Sequence, residues 1–208
     1  GTHTVWGQWI DNVSMVAYII IPWLLNFKIL NGWTENQFLT GYFIILFLFS
    51  ILSWFFGSEL GIGFSLFGLS IGLWIISEVL YNFYSYSMRF FSGFVGYAVL
   101  RLFGTSPYEV IISLQDFWWT LFFWLPGLIA TQKPESTRKY NPWFFAGCFF
   151  YILAFTIWLQ GNLIVNPDSE WCYPDSIIQP HALWHISCAL ATLSFFFFYR
   201  TEKRLNAN

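Results

Sequence analysis

Charge is what this sequence is short of. Only 10% of its 208 residues are Asp, Glu, Lys or Arg, against roughly 25% in a soluble domain. That deficit excludes a globule that faces water on all sides. The nine Lys and Arg are outnumbered by eleven Asp and Glu, so the chain lacks the basic excess that a nucleic-acid backbone requires. Cysteine is scarce as well. Cys148 and Cys188 fall in apolar runs and Cys172 in a loop, which excludes a disulfide framework. The two thiols in the runs read as small apolar packing residues. No segment pairs a short apolar core with a small-residue cleavage site, as a signal peptide does. No soluble domain or internal repeat stands out.

What is present is apolar. An α-helix needs about 20 mostly apolar residues to cross a bilayer. Seven runs approach that length, at about 13–30, 38–57, 61–81, 88–103, 109–130, 143–161 and 180–199. Turn chemistry separates them, in "NGWTEN", "GSELG", "GTSPYE", "TQKPESTRKYNP" and "NPDSEWCYPDS". The predicted fold is an all-α membrane protein, a single domain over 1–208 built as a seven-transmembrane-helix bundle. Orientation follows from the basic residues. An outside N-terminus and inside C-terminus put Lys28, Arg89, Lys133, Arg138, Lys139, Arg200, Lys203 and Arg204 on the inner side and only Arg101 outside, as the positive-inside rule favours.

Ionisable groups cost roughly 2.5–3.5 kcal/mol each inside a membrane helix, so each needs a reason. Glu78 and Arg89 sit at one inner level, and Asp116 and Arg101 at one outer level. Both pairs read first as structural ion pairs. The stretch "QPHALWHISCAL", 179–190, holds two of the three histidines, His181 and His185. Spacing of i, i+4 puts both imidazoles on one helix face. That spacing lets two histidines grip one zinc. It also suits two hydrogen-bonded packing residues. Pigment or haem ligation competes, although two histidines on one helix cannot supply both axial ligands of one haem. Ser53, Glu59, Asp116, Gln160 and Asn162 fall at the same outer depth. Such a polar layer suits either headgroup chemistry or a satisfied polar plug. The 13 Trp and 26 Phe suit lipid contact, pigment contact and interfacial belts alike.

The segment "CYPDSIIQPHALWHISCALATLSFFFFYR", 172–200, resembles the last loop and seventh helix of the alkaline ceramidases, members of the CREST superfamily. The likeness lies in Cys-x-Pro-x-Ser, Gln179, the H-A-x-W-H core and the aromatic exit. Weaker likeness extends to "DNVS", 11–14, and "SWFF", 53–56, while about 60–140 shows none. The resemblance implies seven spans, an outside N-terminus and a zinc-dependent hydrolysis of the ceramide amide. It implies three zinc-binding histidines, two on the seventh helix and one on the second, four residues after a serine. That serine would stabilise the oxyanion, and an aspartate on the third helix would orient the attacking water.

Transferred onto this chain, His181 and His185 match the pair and Ser53 the serine. Gly57 stands where the third histidine belongs, and Gly68 near the aspartate. Gln8 and Gln160 stand where the family carries acidic residues. Two expectations follow. In one, the zinc site is degenerate and the protein has a structural or accessory role in a membrane complex. In the other, Glu59 or Asp116 rebuilds a His₂–carboxylate zinc set and the protein is a lipid amidase for ceramide-like substrates. Position 59 is turned about 200° from position 57 on a helix, which weighs against Glu59. Arg101 competes for Asp116. The expected partners are membrane lipids and other membrane subunits, the expected cofactor is zinc, and the expected location is integral and multi-pass.

Overall fold

A computed structural model of the chain describes residues 4–56, 62–102, 118–164 and 179–204. The protein is mostly helical and divides into two compact units, Thr2–Pro134 and Glu135–Asn208. In the first unit, α1 spans Val5–Asn31, α2 Glu35–Phe56, α3 Ile62–Phe83 and α4 Tyr86–Leu102. A 3₁₀ segment, Trp118–Trp124, then leads into the short α5, Leu125–Ile129. In the second unit, α6 spans Pro142–Ile164 and α7 Pro180–Tyr199. Strands β1, Ser136–Thr137, and β2, Lys203–Arg204, pair antiparallel.

Local chemistry sets the helix ends. Thr4 Oγ1 accepts from the Gly7 N–H at 3.2 Å and caps α1. Gly32 ends it at φ 63°, a left-handed conformation that costs glycine no Cβ clash. Thr34 and Gln37 then form a reciprocal capping box, with the Thr34 N–H donating to Gln37 Oε1 at 2.8 Å and the Gln37 N–H to Thr34 Oγ1 at 3.3 Å. Lys28 and Glu35 close the same turn as an ion pair. Asn141 Oδ1 accepts from the Trp143 and Phe144 N–H groups to start α6.

The core of the first unit runs between α1 and α3. Ile20, Leu24 and Leu30 meet Leu69, Ile76 and Leu80. Within this apolar seam, Asn26 Nδ2 donates to Ser77 Oγ at 3.0 Å and to Glu78 Oε2 at 2.9 Å. Buried polar groups need such partners. Glu78 and Arg89 were expected to pair with each other, but each has a different partner. Arg89 donates from Nε to Gly127 O at 2.8 Å and from Nη2 to Leu128 O at 3.1 Å. It thereby satisfies carbonyls at the C-terminal end of α5, where cations are favoured. The backbone approach is so close that a Cβ on Gly127 would strike the Arg89 carbonyl.

The fifth apolar run departs from expectation. Over its described part, 118–130, it is not a continuous α-helix. Pro126 lacks the N–H that would extend the preceding turn, and the chain restarts as a five-residue helix with that proline in its first turn. Within the run one ring packs inward. Phe123 is buried against Gly72 of α3 and Gly96 of α4.

In the second unit, α6 and α7 pack side by side. At one end, Glu202 takes a 2.7 Å bond from Ser136 Oγ and a 3.0 Å bond from Arg138 Nε. The Arg138 guanidinium lies 4.6 Å from the Tyr199 ring centroid. This clasp joins the entry to α6 with the exit from α7, in a stretch that reads in sequence only as loop.

Among the described residues, three helices are long and apolar enough to cross a membrane: Val5–Asn31, Glu35–Phe56 and Pro180–Tyr199, with mean hydropathies of 1.8, 2.1 and 1.5. The outward face of α2 exposes Phe43, Ile44, Phe47, Leu48 and Phe55. An apolar face of that extent is stable against hydrocarbon and costly against water.

Candidate functional site

Chemistry-bearing residues gather at one place in each unit. In the second unit, α7 begins with Pro180 at its first turn, where a missing N–H costs nothing. His181 and His185 follow on one face. Their Nε2 atoms lie 3.0 Å apart, with His181 exposed and His185 half-buried. Trp184 is buried between them in sequence, its ring 5.1 Å from His181 and 4.4 Å from His185, centroid to centroid. The tryptophan limits how far either imidazole can turn.

This geometry has a definite proton requirement. A hydrogen bond between two Nε2 atoms needs one Nε2–H donor and one lone-pair acceptor. Metal ligation needs both lone pairs. Zinc–nitrogen bonds of about 2.0–2.1 Å at a tetrahedral angle put two ligating nitrogens roughly 3.3 Å apart. The observed separation of 3.0 Å is thus about 0.3 Å short of a chelating pair. The donor set fits two corners of a zinc site, once the shared proton leaves.

In the first unit, Ser53 lies in the last turn of α2. It is 9% exposed, and its hydroxyl has no hydrogen-bond partner among the described residues. It lines a narrow crevice with Asn12, Val13 and Val16 of α1, Phe49 and Ser50 of α2, and Leu66 of α3. A buried hydroxyl without a partner costs about 1–3 kcal/mol. Three tryptophans pack nearby along the chain: Trp6, Trp9 and Trp54, with centroids 4.6–5.5 Å apart. Trp9 Nε1 donates to the Ser50 carbonyl at 2.9 Å, tying the start of α1 to the end of α2.

No family model, curated protein or solved structure matches the chain.

Sequence reasoning found His181, His185 and Ser53 but missed what surrounds them. Asn12 and Ser50 line the crevice, and only their i, i+4 neighbours Val16 and Trp54 hint at it. Glu59 and Asp116, the carboxylates expected to rebuild the metal set, lie outside the described residues, as does Gly57. The side chains of Gln160 and Asn162 and the Asp116–Arg101 pair are outside them too. Cys148 and Cys188 are half-buried, and neither forms a disulfide among the described residues.

One expected outcome follows for Ser53. Ser53→Ala removes a hydroxyl with no partner among the described residues, so thermal stability in detergent should hold or rise, by about 1 kcal/mol. An oxyanion-stabilising role predicts instead a fall in amide hydrolysis of roughly 10²–10³-fold with the fold intact. Measuring unfolding midpoint and turnover on the same preparation separates the two.

Proposed function

We infer that this chain is a multi-pass integral membrane protein with a ceramidase-like seven-helix bundle, N-terminus outside, and a degenerate zinc site. Its role is structural or accessory, within a membrane complex. The observation that carries this reading is the histidine pair, whose imidazoles bond to each other at 3.0 Å. The bond gives each ring a polar partner that needs no metal. Glycine at position 57 supplies no ligand where the resemblance requires one, and a catalytic zinc generally takes three protein ligands.

A pair of this kind makes a distinct demand on stability. His185→Ala should cost about 1 kcal/mol by removing the bond between the two imidazoles, and His181→Ala about the same. The double substitution should cost little more than either alone, because both singles break one bond. Detergent unfolding midpoints of the four proteins test it. Strictly additive losses would mean the imidazoles act separately.

A second reading has its own support. Ser53 holds a buried, unpartnered hydroxyl beside a narrow apolar crevice, which suits a donor kept ready for a developing oxyanion. In that reading the protein is a zinc-dependent lipid amidase for ceramide-like substrates. His181 and His185 would hold the ion with Asp116 or Glu59, and zinc would supply Lewis acidity and an acidified water. Metal analysis discriminates. Zinc near one per chain, lost in His181→Ala, favours the amidase.

A further inference from the structure

We propose that the β1–β2 end of the α6–α7 hairpin is a binding surface for anionic lipid headgroups. The antiparallel ladder pairs Ser136 with Arg204 and Thr137 with Lys203. It thereby brings the chain just before α6 and the chain just after α7 to one end of the hairpin. Four cations belong to that end: Lys139 and Arg200, both exposed, and Lys203 and Arg204 in β2. The fifth, Arg138, is already committed. Its side chain is buried against Glu202 and Tyr199. The same contact occupies the Glu202 carboxylate, leaving Glu135 as the exposed acid of this end among the described residues. Lys139 and Arg200 are thus exposed cations at an end whose nearer acid, Glu202, is held by an internal arginine.

Aromatic residues set the depth. Tyr140 is exposed beside Lys139, and Trp143 is exposed in the first turn of α6, where it stacks on Phe197 at 4.8 Å. Tyrosine and tryptophan favour the headgroup level of a membrane, which would put the adjoining cations among phosphates. Between α6 and α7 the sequence 165–178 carries Asp168, Glu170 and Asp175 and no Lys or Arg. Clusters of four or more basic residues against a membrane helix end bind such lipids through their phosphate and carboxylate charges.

This proposal rests on α7 as a membrane span, so the experiment tests that first. Carbonate extraction of native membranes should leave the protein in the pellet. Release into the supernatant would refute the span itself, and with it the surface. The full chain, purified in mild detergent, is then titrated with short-chain phosphatidylserine, phosphatidylcholine and inorganic phosphate while its unfolding midpoint is followed. Phosphatidylserine should raise the midpoint, less so in high salt, and the other two should not. Lys139→Gln and Arg200→Gln, both exposed and outside the clasp, should each weaken half-saturation about fivefold. Equal shifts with phosphatidylcholine, an equal shift with phosphate alone, or unchanged half-saturation in both variants would overturn the proposal.

Discussion

Gly57→His is expected to raise the zinc affinity of the purified protein about a hundredfold. Position 57 is where the ceramidase resemblance places the third ligand, four residues after Ser53. Structural zinc sites with four ligands bind with roughly 10–16 kcal/mol, so one ligand contributes about 3 kcal/mol. That is about a hundredfold in affinity. His181 and His185 already stand near chelating distance, at 3.0 Å. The gain should vanish when His181 is replaced by alanine in the same background, since the new histidine would again be one of two. Competition with a chelator of known affinity gives the number. An unchanged affinity would show that the chain does not keep the family's ligand geometry at this position.

Phe123→Ala should be the most destabilising single change in the first unit. The ring is 1% exposed and seated against Gly72 and Gly96, where a Cβ from either glycine would collide with it. Removing a buried phenyl ring costs roughly 3–5 kcal/mol through lost contacts and the cavity left behind. For a chain of this size the detergent unfolding midpoint should fall by about 10 °C. Gly96→Ala should also destabilise, by overpacking the same space, at about 1–3 kcal/mol. The two changes share one cavity, so the double variant should be better than the sum of the singles. Additive losses would mean that Phe123 does not fill the space between α3 and α4.

Much of this fold was legible because bilayer-length apolar runs carry a strong signal. The run 180–199 coincides with α7, Pro180–Tyr199, and 38–57 with α2, Glu35–Phe56. The first helix begins earlier than its run. Thr4 caps it and Trp6 and Trp9 extend it, and a reading by hydropathy discounts those polar-edged rings. The fifth run misled for a related reason. Hydropathy sees "WWTLFFWLPGLIA" as uniformly apolar, whereas Pro126 and the close approach of Gly127 to Arg89 decide its backbone. The Arg138–Glu202 clasp was illegible because its partners stand 64 residues apart.

The candidate site was legible only in part. Helical spacing was enough to put His181 and His185 on one face. It could not show that their Nε2 atoms face each other, which depends on rotamers wedged by Trp184. Depth along α2 put Ser53 in the outer polar layer, and the resemblance gave it a role. Its lack of a partner emerges only when α1, α2 and α3 are packed together.

Fatty-acid release from ceramide by the purified, zinc-supplemented protein is the most direct test of the proposal that the zinc site is degenerate. With two histidines and no third ligand at position 57, release should not exceed that of His181→Ala under the same conditions. Robust release that a chelator abolishes, and that His181→Ala lacks, would contradict the accessory role and establish a working amidase.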